Sequence, residues 1–410
     1  MAAVTEDLIE LRELLAAAPL VDGHNDLLWE MRDQAGYDFD RIDIAARVAT
    51  TQTDIPRLRA GGVGAQFWSV FVPSDLPGDT AVTATLEQLD AWRAMVARYP
   101  DDLMLALGAD DVRRAAETGR IASLAGMEGG QSIGASLGAL RMMYALGARY
   151  MTLTHNDNNP WADSATDEPA HDGLTAFGEE VVREMNRLGM LVDLSHVAPT
   201  TMHDALRVSE SPVVFSHSSA RALCDHPRNV PDDVLTQLAA NRGVCMVTFV
   251  PGFVSETVSG VWRDYYDQRR RLRAEHPDDE KLVEAEMHHW ELAHPDDPVT
   301  VEQVADHVDH VRDVAGIEHV GVGGDYDGVP KLPVGLEDVS TYPVLFAELR
   351  RRGYSDADLQ AVAGRNALRV LGAAEAVARD LQTVRGPSLA RIGDLDAPPQ
   401  PSDQVRPAQR

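Results

Sequence analysis

Histidines and carboxylates stand at the ends of short apolar runs throughout this chain of 410 residues. One run closes on His24-Asn25-Asp26, another on Glu128, and others on His155, His196, His217 and Asp325. Imidazole and carboxylate donors without a thiolate suit zinc first, then manganese, iron or cobalt. Residues two apart on a strand point to one face, which directs His24 and Asp26 together. Taken alone, each histidine reads as a hydrogen-bonded core residue, and His-x-Asp is a weak motif. Brought together, these ionisable groups would repel one another and lose hydration unless a cation neutralised them. His24, His196 and His217 with Asp26, Glu128 and Asp325 exceed what one tetrahedral ion uses. Two ions about 3.5–4 Å apart, bridged by a carboxylate, would use them. Glu128 is the best-placed bridge, with the His-x-Asp pair on one ion and the two later histidines on the other. The only lysines, Lys281 and Lys331, end no apolar run, so a carbamylated-lysine bridge has no place.

Other catalytic readings are weaker. Ser195-His196 and Ser216-His217 look like hydrolase dyads, but adjacent residues on a strand face opposite ways. Gly321-Val322-Gly323-Gly324 precedes an acid rather than a helix, against a dinucleotide loop. His288, His289 and His294 lack the spacing of a helical zinc motif, and with His307 and His310 they read as solvated faces of charged helices. Asp22 shares the face of His24, either to orient a ligand or as a buried structural carboxylate. Cys224 and Cys245 read as inert core thiols.

The elements that must position the ligands are eight strand-like runs: 19–26, 63–72, 121–128, 150–155, 191–196, 212–217, 243–250 and 319–325. Helical patterns separate most of them. Runs such as Val213-Val214-Phe215 are apolar on consecutive residues, as strands buried on both faces should be. Repeated strand–helix units predict a parallel sheet, and eight of them a single closed (β/α)8 barrel of the TIM type. Active sites of such barrels lie at the carboxyl ends of the strands, where the ligands fall. An open doubly wound sheet is the alternative. Residues 255–298 form a charged helical insertion between the seventh and eighth strands, able to cover the barrel mouth. The barrel is expected over 1–385, and a Pro-rich tail over 386–410 is expected to fray.

Lys and Arg total 37 against 65 Asp and Glu, a net charge of −28. Such a chain is repelled by phosphate backbones and anionic lipid, which argues against nucleic-acid and membrane-surface partners. Two cysteines make neither a disulfide framework nor a thiolate zinc site, which suits a reducing cytoplasm. The start reads as an acidic amphipathic helix (Glu6, Asp7, Glu10, Glu13) rather than a secretory signal. No apolar run is long enough to span a bilayer. A soluble, cytoplasmic protein is expected.

Several blocks carry a family resemblance. Val21-Asp22-Gly23-His24-Asn25-Asp26, Gly126-Met127-Glu128-Gly129, Leu153-Thr154-His155-Asn156, Asp193-Leu194-Ser195-His196, Ser216-His217-Ser218 and Arg228-Asn229-Val230-Pro231-Asp232-Asp233 resemble the renal (membrane) dipeptidase family. Gly323-Gly324-Asp325-Tyr326-Asp327-Gly328 and Gly335-Leu336-Glu337-Asp338 complete the set, which covers nearly the whole chain in order. The resemblance implies a binuclear zinc dipeptidase on an amidohydrolase-type barrel. In it His24 and Asp26 would bind one Zn2+, His196 and His217 the other, and Glu128 both. Asp325 matches the catalytic acid, His155 a substrate-contacting histidine and Arg228 a residue gripping the substrate. Members cleave dipeptides, often with a C-terminal D-residue, some open β-lactams, and homodimers are usual. Asp157 stands where animal members carry a cysteine, and their secretory and lipid-anchor segments have no match.

The expected chemistry follows. Bridged metals bring the pKa of a shared water toward about 7, and the hydroxide attacks a polarised peptide carbonyl. His155 would donate to the oxyanion, and Asp325 would pass the water's proton to the leaving amine. Arg228 would hold the C-terminal carboxylate by a two-pronged bond, limiting the enzyme to dipeptides; its plain alternative is an ion pair with Asp232 or Asp233. Rival functions are an amidohydrolase acting on a cyclic amide, lactam or N-acyl amino acid, and a catalytically silent peptide-binding relative.

Overall fold

The computed structural model describes residues 10–396, apart from 12, 13, 16, 278 and 296. Glu6, Asp7 and Glu13 of the expected N-terminal helix, Asp278 of the insertion and the prolines beyond 396 lie outside the described residues.

Among the described residues nine parallel strands form one sheet: β1 Leu20–Asn25, β2 Val63–Phe71, β3 Leu103–Leu105, β4 Ile121–Glu128, β5 Ala148–Thr152, β6 Leu191–Asp193, β7 Val214–Phe215, β8 Val244–Val247 and β9 Val320–Val322. All eight expected runs are present. Their order, β2-β1-β9-β8-β7-β6-β5-β4, is closed by pairing of β2 with β4 from Ala65↔Ala122 to Phe71↔Glu128. Closure removes both edges and overturns the open-sheet alternative: this is a (β/α)8 barrel. The unexpected strand is β3, whose three residues pair with Ile121–Ser123 below the point where β5 joins β4. So short a run carries no readable period.

Burial follows from the apolar runs. Every residue of β1 and of β4 is buried. At the start of β1 Val21 joins the inner cluster with Phe67, Leu124 and Met246, while Leu20 packs outward among the helices; the pairing with β2 shifts register between Asp22 and Asn25, so strict alternation does not reach His24. The inner cluster fills the barrel to a void of about 10 Å³, so the axis is a packed core. Two glycines are required there. A Cβ on Gly23 would lie 2.3 Å from the Ser216 carbonyl oxygen, and one on Gly323 only 1.8 Å from it. The helices start where hydroxyl residues cap them: Ser136, Thr175 and Ser255 each accept from a backbone N–H three residues on.

Between β8 and β9 the chain forms the expected insertion, two helices Glu256–Glu275 and Glu280–Ala293 around a small core of Leu272, Val283 and Met287. His288, His289 and His294 are exposed on it, as read from the sequence. His307 is not a surface residue. It is 1% exposed, its Nδ1 accepts from the Ala220 N–H and its Nε2 meets the Val254 carbonyl, tying the helix Val301–Ala315 to the loop after β7. The expected fraying from residue 386 is not met up to Asp396. The Asp396 carboxylate accepts from the Thr175 hydroxyl and the Phe177 N–H, and the Ser388 N–H meets Glu184. No helix among the described residues is long and apolar enough to cross a membrane.

Candidate metal centre

Glu128, the last residue of β4, is the hub of the barrel mouth. Its Oε2 lies 3.3 Å from His24 Nε2, and its Oε1 lies 3.0 Å from His196 Nε2 and 3.6 Å from the Nε2 atoms of His217 and His155. His24 Nε2 is also 3.2 Å from Asp26 Oδ2 and 4.0 Å from Asp325 Oδ1. All seven expected side chains therefore meet at one place. Three groups bring ligand atoms within 4.8 Å of one another: His24, Glu128 and His217; Glu128, His155 and His196; and His24, Asp26 and Asp325. His217 thus reaches toward both ends of Glu128, its ring 3.9 Å from that of His24 and its Nε2 3.0 Å from His196 Nε2. His155, expected to contact substrate and donate to the oxyanion, lies 3.6 Å from Glu128 Oε1, as near as His217 does.

The lone pairs are aimed by neighbours the sequence did not disclose. Tyr150 donates its hydroxyl proton to the Gly23 carbonyl at 3.2 Å and so accepts from His24 Nδ1 at 2.8 Å. That leaves His24 Nε2 free, buried and without a hydrogen-bond partner, among carboxylate oxygens. The Tyr150 ring reaches this spot over Gly126, where a Cβ would fall 2.0 Å from it. On the far side Ser216 donates to Asp193 and accepts from His217 Nδ1 at 2.8 Å, which leaves the His217 lone pair on Nε2, paired with His196 Nε2. The sequence reading set Ser216 and His217 on opposite faces, but β7 stops at Phe215, and beyond it the pleat no longer separates neighbours. The Ser69 hydroxyl donates to Glu128 Oε2 at 2.9 Å. A serine or tyrosine in an apolar strand is the only sequence signal for such residues, and it does not say which ligand they serve.

Asp22 takes the structural option. Its Oδ1 accepts from the N–H groups of Gly324 and His24, bracing β1 against β9, and burial raises its pKa to about 6. His196 and Asp325 leave their strands at φ +72° and +60°, a left-handed conformation that side chains rarely adopt.

The electrostatics ask for a cation. Burial would raise the Glu128 carboxyl, but the imidazoles of His24, His196 and His155 hold it well below the usual range. Burial lowers His24, yet Tyr150, Glu128 and Asp26 outweigh it and lift it well above its ordinary value. His196 and His217 are pushed well down, by burial first and then by neighbouring positive charge, and so stay neutral. Asp325 is pushed up to about 8, by burial and, against His24, by the charges of Asp26 and Glu128. The neutral imidazoles of His196 and His217, the unpartnered His24 Nε2 and the close carboxylates fit divalent metal ions.

Beside this cluster opens a cavity of about 910 Å³, whose wall includes Glu128, His155, Asp325 and Arg228. The Arg228 side chain is buried, its Nη atoms 3.3 Å from Ser218 Oγ and the His217 carbonyl, and its Nε has no partner. The ion pair considered from the sequence is not formed: Asp232 pairs with His310 at 2.7 Å and Asp233 with His203 at 3.2 Å. Among the described residues no carboxylate lies within ion-pair distance of Arg228. Helix Glu256–Glu275 covers one side of the mouth, placing Trp262, Arg263 and Tyr266 on the cavity wall.

Comparison with known proteins agrees with this geometry. The family model "Membrane dipeptidase (Peptidase family M19)" matches residues 8–385. The chain is 40% identical over 393 residues to dipeptidase verJ of Clonostachys rogersoniana, covering 93% of this chain and 91% of that protein. It is 42% identical over 383 residues to dipeptidase 3 of Mus musculus, covering 92% of this chain and 67% of that protein. Its fold resembles a solved metallopeptidase from Rhodobacter sphaeroides, liganded with a phosphinate mimic of the dipeptide L-Ala-D-Ala. The TM-score is 0.72 at 25% identity, covering 87% of this chain and 99% of the other.

Proposed function

This chain belongs to the membrane dipeptidase family and is a metal-dependent dipeptidase, and on that premise we propose which residues do the work and on what substrate. The substrates are dipeptides, including those with a C-terminal D-residue, and the metals are two Zn2+ ions. The observation that carries this reading is Arg228, a buried guanidinium without a carboxylate, on the wall of the cavity that also holds Glu128 and Asp325.

His24 and Asp26 would hold one ion, His196 and His217 the other, and Glu128 would reach both, since its two oxygens face different histidines. When bound, the ions would supply Lewis acidity: a more acidic water and a polarised carbonyl. Arg228 binds the substrate's C-terminal carboxylate through its two Nη atoms and so fixes how far the scissile bond lies from Glu128. A longer peptide has no carboxylate at that distance. His155 donates from Nε2 to the oxygen on which negative charge develops. Asp325 accepts the proton released from the attacking water and returns it to the leaving amine. The two free, buried cysteines support a cytoplasmic setting and the family resemblance supports a homodimer; cell fractionation and sedimentation test these.

The test is hydrolysis of L-Xaa-L-Xaa and L-Xaa-D-Xaa dipeptides by zinc-loaded protein, beside a tripeptide and a dipeptide amide. Cleavage of dipeptides with both controls spared is expected. Equal cleavage of the amide would remove the role of Arg228 and favour an amidohydrolase of cyclic or N-acyl amides.

A further inference from the structure

The cavity is larger than a small dipeptide needs, at the upper end of the ~300–1,000 Å³ that accommodates drug-sized ligands. Its surplus is bounded by helix Glu256–Glu275, which turns arginines to it in a chain of net charge −28. Most of these are engaged: Arg270 with Asp267, Arg273 with Glu280 at 2.5 Å, and Arg269 with the same Glu280 at 3.6 Å. Arg263 differs. Its nearest carboxylate, Glu256, is 3.9 Å away, and its side chain is 61% exposed.

The charge of Arg263 also reaches His226, on the same cavity wall as Arg228. Phe253 lies under the Arg228 guanidinium at 5.2 Å and against the His226 ring at 4.4 Å, and Trp262 packs on the adjoining Gly252 backbone. His226 lines the same wall, and its Nδ1 accepts from the Arg228 N–H at 3.2 Å, which puts the ring proton on Nε2 as a donor. Burial, then the charges of Arg228, Arg263 and Arg221, opposed by Asp225, hold this imidazole neutral with a pKa near about 3. A donor and a second cation thus share a cavity wall with the guanidinium assigned to the substrate's C-terminal carboxylate.

We propose that the site selects dipeptides whose C-terminal residue carries an acidic side chain, with Arg228 on the α-carboxylate and Arg263, aided by His226, on the side-chain carboxylate. This rests on the dipeptidase reading above. It also explains why the covering helix is basic where it overlooks the cavity, since a dianionic substrate end must be drawn into a strongly anionic protein.

The experiment compares kcat/KM of the zinc-loaded protein for L-Ala-D-Asp against L-Ala-D-Asn, each also as the L,L form, with L-Asp-D-Ala against L-Asn-D-Ala as the reversed pair. The acid is expected to exceed its amide at least about tenfold at the C-terminal position, mainly through KM and less so in high salt. Arg263→Gln should bring that ratio near one and Arg263→Lys should keep most of it. A ratio near one in the unmodified protein, or a preference confined to the N-terminal residue, overturns the proposal. So does a ratio that survives Arg263→Gln. Failure to cleave any dipeptide would instead overturn the dipeptidase reading and this inference with it.

Discussion

Glu128 answers two demands with one carboxylate, and no other carboxylate among the described residues is within ion-pair distance of both His24 and His196. Glu128→Gln keeps the shape but turns one oxygen into an amide nitrogen that cannot ligate. It should lose bound metal and nearly all turnover, read by metal analysis and dipeptide hydrolysis; a variant with two metals and full turnover would sink the bridging role. Arg228→Met removes two hydrogen bonds to a charged group, each about 1.5–3 kcal/mol. A loss of about 10²-fold or more in kcat/KM is expected, mainly in KM. Tyr150→Phe leaves His24 Nδ1 without the hydroxyl that fixes its tautomer. Metal affinity should fall about 10–100-fold, measured by chelator competition.

At the scale of elements, the strands end before the ligands do. β6 stops at Asp193 and β7 at Phe215, so His196 and His217 stand on turns whose shape the strand period does not set. Left-handed backbone at His196 and Asp325 costs about 1–3 kcal/mol each, and surrounding hydrogen bonds must hold it. The Ser216 segment is wedged between Gly23 of β1 and Gly323 after β9. Gly323→Ala places a Cβ 1.8 Å from a backbone oxygen in a closed barrel that cannot open to admit it. A loss of about 3 kcal/mol or more is expected in urea melts. Gly119→Ala, at φ +69° but with nothing within 4 Å of the added Cβ, should cost only about 1 kcal/mol.

For the whole molecule, metal and fold should be coupled, because the proposed ligands from β1, β4 and the turns after β6 and β7 meet only in the closed barrel. Anything bound by that arrangement and not by the unfolded chain stabilises it, by about 2.7 kcal/mol at a hundredfold excess over Kd. Zinc-loaded protein should melt at least about 5 °C above chelator-treated protein by calorimetry. Glu128→Gln should lose most of that difference, whereas Arg263→Gln, on the exposed covering helix, should keep it.

The sequence by itself determined the eight apolar runs, the ligand types at their ends and the insertion after the seventh. These are local properties, set by the two-residue period of a strand, continuous burial and helix capping. Resemblance in ordered blocks supplied the roles proposed for Arg228 and His155, which periodicity does not carry. The tertiary structure decided the rest. Closure depends on β2 meeting β4, two runs with β3 between them in the chain. Tyr150 serves His24 across 126 positions, and His307 is buried because the loops after β7 and β8 supply its two hydrogen bonds. Such contacts follow from barrel register and the packing of distant loops, which no local pattern encodes.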